Sequence, residues 1–373
     1  MRILYITDAL AVWGGIERVL SDKTDYLVNH GYEVYVVTMD QGRHPIPFPL
    51  NEHVQVHDLD IRFHRQYKYH GIMRLIKYFE FEMLFRKRLK SYIEEIHPDV
   101  ISCIRDGNVS NVLKIRGRTP VLFESHALCK DIVFEDVSFM HKLSSVIGRN
   151  QFRKLDMIVT LTNGDAQDWK RYCKKVCVIP NVVHLNPTGT YSDCSSKKIV
   201  FAGRFDVQKN IGALINIWEI VQKRHPDWEL DVYGNGELKP YYEAEVFEKR
   251  LNIKINQAVS NIFDKYIESS MFILTSMYEP FGLVLVEAMS CGLPVIAFDC
   301  PYGPADIITN GVDGILVENN NITAFADSIC KLIDNPELRK KMGREGVKSS
   351  NRYNADNIMP QWHKLFTQLK HDM

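Results

Sequence analysis

Short apolar runs separated by longer, more polar stretches dominate this chain, and they come in two series. The first series falls at 3–7, 34–39, 54–59, 100–104, 121–125, 157–162 and 176–180. Runs this short and this continuously apolar predict strands buried on both faces, and the segments between them are long enough for crossovers. Such alternation predicts a parallel, doubly wound sheet. The stretch 181–196, rich in Asn, Pro, Gly, Ser and Thr, breaks the pattern and reads as a linker. A second series then begins at 198–202 and continues at 229–233, 253–256, 271–275, 294–299 and 314–317. After it, Ile322, Phe325, Ala326, Ile329 and Leu332 recur at helical spacing behind Asn321, which predicts an amphipathic helix with an Asn cap. A last helical stretch covers 358–369.

The expected architecture is therefore α/β: two Rossmann-like domains facing across a cleft, with the active site between them. The expected boundaries are 1–183 for the first domain, 184–196 for the linker, 197–355 for the second domain and 356–373 for a C-terminal helix. A length of 373 residues already favours two cores over one. Net charge is zero, so the totals give no support to nucleic-acid binding. The first strand is expected almost at once, so no secretory signal is expected, and no apolar run approaches the length of a membrane helix. Eight scattered cysteines lack framework or zinc spacing. Reduced thiols and a cytoplasmic location are expected.

The most informative segment runs from Glu279 to Met289. It follows the apolar run 271–275 and precedes Cys291-Gly292-Leu293-Pro294, a helix-stop signal. The segment predicts strand, tight loop and short helix, opening onto the crevice at the carboxyl ends of the strands. The N–H groups of Gly282, Leu283 and Val284 would face an anion from the helix start. Glu279 would stand in the loop, and Glu287 two turns further along on the same side. Gly203-Arg204, with Lys209 five residues on, ends the first strand of the second series. Two cations beside a glycine at a strand's carboxyl end suit a diphosphate, although a solvated loop would look the same in isolation.

Tyr233-Gly234-Asn235-Gly236 follows the next strand and allows either an ordinary tight turn or close backbone approach to a nucleotide. Trp13-Gly14-Gly15-Ile16-Glu17-Arg18 follows the first strand of the chain. It reads as a βα turn whose N–H groups can meet a phosphate or a sugar hydroxyl. His126 closes another strand and is either a loop hydrogen-bonder or a group that acts on a reacting centre. Residues 61–90 carry nine Lys/Arg against Glu80 and Glu82, interleaved with aromatic and aliphatic side chains. They fit an anionic membrane surface or a helix pair with a solvated basic face.

In combination, Gly14-Gly15-Ile16-Glu17-Arg18, His126, Gly203-Arg204 with Lys209, and Glu279 to Glu287 resemble glycosyltransferase family 4. These are retaining nucleotide-sugar enzymes with the GT-B fold. Pro301-Tyr302-Gly303-Pro304 and 311–317 extend the resemblance over nearly the whole chain, most strongly in 197–320. The resemblance implies that Arg204 and Lys209 hold the donor diphosphate and that Glu279 lies near the donor sugar. It places Glu287 on the ribose and the amides of Gly282, Leu283 and Val284 on sugar and phosphate. Gly15, Gly203 and Gly234 would lie close to the donor, and His126 near the sugar's reacting face. The implied catalytic set is Glu279, His126, Arg204 and Lys209.

The resemblance further implies a C-terminal helix crossing back to the first domain, and no bound metal or other cofactor. It implies a hexose or N-acetylhexosamine passed from a nucleotide diphosphate, with UDP expected. The acceptor would be a glycan or lipid-linked glycan in surface polysaccharide assembly, met at the inner membrane face through 61–90. A sugar-nucleotide epimerase, a pyridoxal-phosphate phosphorylase and a non-catalytic nucleotide-sugar binder share the fold and compete with this reading.

Overall fold

In the computed structural model, residues 1–133 and 150–372 are described. The chain divides into two compact units, Met1–Val182 with Ile358–Met373, and Val183–Asn357. The last helix, Ala355–His371, thus lies almost wholly with the first unit.

The first unit is built on seven parallel strands in the order β3-β2-β1-β4-β5-β6-β7. These are β1 Arg2–Thr7, β2 Glu33–Thr38, β3 Gln55–Asp58, β4 Val100–Cys103, β5 Val121–Glu124, β6 Met157–Thr160 and β7 Val176–Val178. All seven runs of the first series form strands. The central ones read as unbroken apolar runs because helices cover both faces of the sheet. Helix α1, Gly15–Asn29, follows β1, and the long helix α2, Gly71–Ile96, precedes β4. The far half of α2 buries Phe85, Leu89, Ile93 and Ile96 in the core with Leu4, Val37 and Ile101.

The second unit repeats the plan with six parallel strands in the order β10-β9-β8-β11-β12-β13. They are β8 Lys198–Ala202, β9 Glu229–Tyr233, β10 Ile253–Asn256, β11 Met271–Leu274, β12 Val295–Asp299 and β13 Gly314–Glu318. The expected Asn cap is present: the Asn321 side chain accepts the Ala324 N–H at 3.0 Å at the start of helix Ile322–Asp334.

The stretch 184–196 carries no helix or strand, yet it is held to the second unit along its length. The Asn186 N–H donates to Ser290 Oγ at 3.0 Å, and buried Arg339 donates to the Cys194 carbonyl at 3.0 Å. Its polar composition reflects a path of side-chain and backbone hydrogen bonds rather than looseness. All eight cysteines are free thiols.

Strand order reverses direction between β1 and β4 in the first sheet and between β8 and β11 in the second. In doubly wound sheets the loops leaving the carboxyl ends at such a switch point form the ligand crevice. The segments singled out in the sequence leave these strands: 13–18 follows β1, 203–209 follows β8, and 275–282 follows β11.

Candidate active site

In the second unit the structure brings Lys209 and Glu279 together. The Lys209 ammonium donates to Glu279 Oε2, and Ser276 Oγ donates to the same oxygen at 3.1 Å. Both charged side chains are about nine-tenths buried. Lys209 is fixed at its backbone as well. Its N–H donates to Asp206 Oδ1 at 3.0 Å, and its carbonyl accepts the Thr275 hydroxyl at 3.1 Å. The β8 loop is therefore clamped to the β11 loop through main chain and side chain at once. Met277 N–H donating to the Gln208 carbonyl at 2.8 Å adds a further tie.

Arg204 stands differently. It is largely exposed, pairs with Asp206 at 3.0 Å and donates to Gln208 Oε1 at 3.1 Å. Its guanidinium is oriented from one side while the rest of the fork faces solvent, which suits capture of an anionic group.

Two glycines lie beside the Lys209–Glu279 pair. A Cβ on Gly203 would lie 3.4 Å from Lys209 Cδ, and one on Gly282 would lie 3.4 Å from Glu279 Cγ. Gly282 also has φ +107, which favours glycine, and it caps the helix Leu283–Ser290. Leu283 and Val284 are the first residues of that helix, so their N–H groups have no acceptor within it. Glu287 lies in its second turn, buried. The helix ends as expected, with Gly292 at φ +84 beyond Cys291.

Gly234 is explained by the protein itself: a Cβ there would fall 1.8 Å from the Gly203 carbonyl oxygen. The close approach anticipated at this turn is thus made by the neighbouring β8 loop.

Ser276, three residues before its carboxylate partner, went unrecognised in the sequence. The loop 301–303 was noted there only as part of the resemblance, and its backbone frames Glu279. Glu279 N–H donates to the Pro301 carbonyl at 2.7 Å, and its carbonyl accepts Tyr302 N–H at 3.0 Å and Gly303 N–H at 2.8 Å. Gly303 is required there because a Cβ would sit 1.7 Å from the Phe281 carbonyl oxygen. The glycine in Pro-Tyr-Gly-Pro was the available signal.

In the first unit, Gly15 is the first residue of α1, with Gly14 as its cap. His126 follows β5, its side chain largely buried, with Nε2 3.5 Å from Glu124 Oε2. Glu124 is the centre of a buried network. Lys23 Nζ contacts Oε2 at 2.6 Å and the Ser102 hydroxyl donates to Oε1 at 2.6 Å. The Lys23 ammonium also lies 3.4 Å from the ring centroid of Trp362, in the C-terminal helix.

Burial alone would raise the Glu124 pKa, but the Lys23 charge and His126 outweigh it and hold the carboxyl down at about 2. Burial in turn pushes the Lys23 ammonium below its usual range, against the pull of Glu124. With three donors around it, the ionised carboxylate is the state this geometry fits. That carboxylate favours a proton on Nε2 of His126 beside it. The sequence reading did not pick out Lys23. Its signal was position, for it stands on the apolar stripe of α1 with Val19, Leu20 and Leu27.

Among the described residues, no group of three or more His, Cys, Asp or Glu side chains is placed to hold a metal ion. No helix among them is long and apolar enough to cross a membrane.

Two parallel α/β units, each with its glycine-bearing loops at the switch point, define a GT-B glycosyltransferase fold. Two family models match consecutive parts of the chain: "Glycosyltransferase Family 4" over residues 13–186 and "Glycosyl transferases group 1" over residues 192–349. The chain belongs with the family 4-like GT-B glycosyltransferases.

Among curated relatives, it is 28% identical to the "Amylovoran biosynthesis glycosyltransferase AmsD" of Erwinia amylovora, over 98% of this chain and 99% of that one. Among solved structures it is similar to sucrose-phosphate synthase from Thermosynechococcus elongatus, with a TM-score of 0.80, 20% identity and complete coverage of both chains. It is also similar to S. aureus TarM, solved with fondaparinux, α-GlcNAc-glycerol and UDP. That match has a TM-score of 0.79 and 16% identity over 98% of this chain and 99% of that one.

Proposed function

We propose that this glycosyltransferase moves a hexose or N-acetylhexosamine from a UDP-sugar to a hydroxyl of a glycan or lipid-linked glycan, with retention at the anomeric carbon and without a metal. The observation that carries the reading is the Lys209–Glu279 pair, buried beside Gly203 and Gly282 at the β8/β11 switch point. A UDP complex of TarM and the amylovoran biosynthesis in the name of AmsD support the donor and the product class.

In this reading Arg204 and Lys209 hold the diphosphate and stabilise the charge that grows on it. The bond from C1 of the sugar to the phosphate oxygen breaks, and a bond from C1 to the acceptor oxygen forms on the same face. The acceptor's proton passes to the departing diphosphate. Glu279 fixes Lys209 and lies beside the donor sugar. Glu287 receives the ribose hydroxyls, and the N–H groups of Leu283 and Val284 meet the anionic group. In the first unit, His126, oriented by Glu124, is the candidate catalytic group.

The test is a thermal-shift titration with UDP, GDP and ADP, followed by transfer assays with the matching donors. UDP is expected to raise the midpoint selectively. Arg204→Ala with Lys209→Ala is expected to abolish that shift and to lower transfer by a factor of about 100–1000 for the lost charge stabilisation. An unchanged UDP shift in the double variant would overturn the assignment.

A further inference from the structure

Nine of the nineteen exposed large apolar side chains among the described residues fall within 67–83. They form a patch, and a patch on this scale marks a surface that something covers. The first half of α2 explains it. No residue from 71 to 84 is buried, whereas Phe85, Leu89, Ile93 and Ile96 anchor the second half in the core.

At 100° per residue, Ile72, Leu75, Ile76, Phe79 and Met83 share one stripe, about a third of a turn round the helix from Phe85 and Leu89. Ile72 is 79% exposed and Phe79 50%. Further along, the same outward side carries Arg86, Lys87 and Lys90, the last paired with Glu94 at 3.6 Å. The acidic residues nearby are engaged: Glu80 pairs with Lys77 at 2.7 Å, and Glu82 accepts the Tyr78 hydroxyl at 2.9 Å. More cations flank the start of the helix. Arg74 lies over the Tyr67 ring at 4.4 Å and Lys77 over the Tyr69 ring at 5.7 Å.

We infer that the outward face of α2 docks on an anionic lipid bilayer, with the stripe Ile72–Met83 entering the headgroup–acyl boundary and Lys87 and Lys90 lying against lipid phosphates. The stripe is about 16 Å long, enough to lie in the interface plane. Charge decides the occupant. The core of a protein interface is depleted in lysine, whereas a bilayer surface takes apolar side chains and cations side by side. The inference rests on the proposed function only for the lipid-linked acceptor that makes docking useful.

The experiment is sedimentation of the full chain with vesicles of phosphatidylcholine alone and of phosphatidylcholine mixed with phosphatidylglycerol. Binding is expected only to the anionic vesicles, and to weaken with salt. Ile76→Ser with Phe79→Ser should lower vesicle affinity by at least about tenfold. Lys87→Gln with Lys90→Gln should lower it by about fivefold per charge. Both variants should keep the thermal midpoint and the UDP shift of the parent, because these side chains face water. Equal binding to neutral vesicles, no binding, or unchanged binding by Ile76→Ser with Phe79→Ser would overturn the inference. So would a dimer in ultracentrifugation that this variant dissociates, since a second copy would then be the occupant. Vesicle binding and the UDP shift are read separately, so either proposal can fail without the other.

Discussion

Both α/β units bury a lysine against a glutamate near the carboxyl end of a strand, and the two pairs are closed off to different degrees. Lys23 and Glu124 keep 2% and 4% of their side-chain surface, sealed beneath the Trp362 ring. Lys209 and Glu279 keep 11% and 10%, with Gly203 and Gly282 beside them. A sealed pair can only position its neighbours, and here the neighbour is His126. A pair that keeps some exposure can exchange its partner for a ligand. The same chemistry thus serves orientation in one unit and, in the proposed function, binding in the other.

The largest effect should come from breaking the sealed pair. Lys23→Met leaves Glu124 charged and buried with its main partner gone, which costs about 3–5 kcal/mol. Lys209→Met should cost less, about 1–3 kcal/mol, because Glu279 retains Ser276 and some solvent. Urea denaturation of both variants ranks them, and equal losses would erase the distinction.

The pH dependence sharpens it further. The folded pKa of Glu124 lies near 2, below its ordinary 4.5. Its stabilising contribution is therefore complete above 4.5 and is lost as pH falls through 2. Without Lys23, burial should dominate and raise that pKa above the ordinary value. Glu124 would then contribute stability at acid pH that is lost as pH rises, so Lys23→Met should gain stability between neutral pH and pH about 5. An unchanged slope in urea midpoints over that range would show that Lys23 does not hold Glu124 ionised.

Gly303→Ala probes the other pair through its frame. The new Cβ meets the Phe281 carbonyl, which is backbone and can yield only by moving the loop that holds Glu279. A loss of about 1–3 kcal/mol is expected. Weaker UDP binding should accompany it, although no residue assigned to the ligand has changed. Retained UDP affinity at reduced stability would separate the frame from the site.

What the sequence revealed divides along the same line. Strand positions were legible in both units because a run buried on both faces leaves a continuous apolar signature. The elements around Glu279 were legible because carboxylate, turn, glycine and helix start lie within one stretch of chain. The pairs themselves were not legible. Glu279 lies 70 residues from Lys209, and Glu124 lies 101 residues from Lys23. Only the sheet topology brings them together. Lys23 was further hidden because a lysine in a helix is ordinarily solvated, and the ring that covers it comes from the far end of the chain.

The smallest effect tests that cover. Trp362 and Lys23 can couple as ring and cation at 3.4 Å. Desolvation strengthens such contacts, but Glu124 already takes the ammonium's strongest interaction, so a coupling of about 0.5–1 kcal/mol is expected. Trp362→Leu alone would mix this with lost packing. A cycle of Trp362→Leu, Lys23→Met and the double variant removes the packing contribution. A coupling within error of zero would mean that the C-terminal helix covers the pair only by excluding water. A clear coupling would make that helix an electrostatic part of the network that orients His126. Transfer activity in Trp362→Leu should then fall with kcat while KM for the donor stays near its parent value, because His126 would be misoriented without loss of any group that holds the diphosphate.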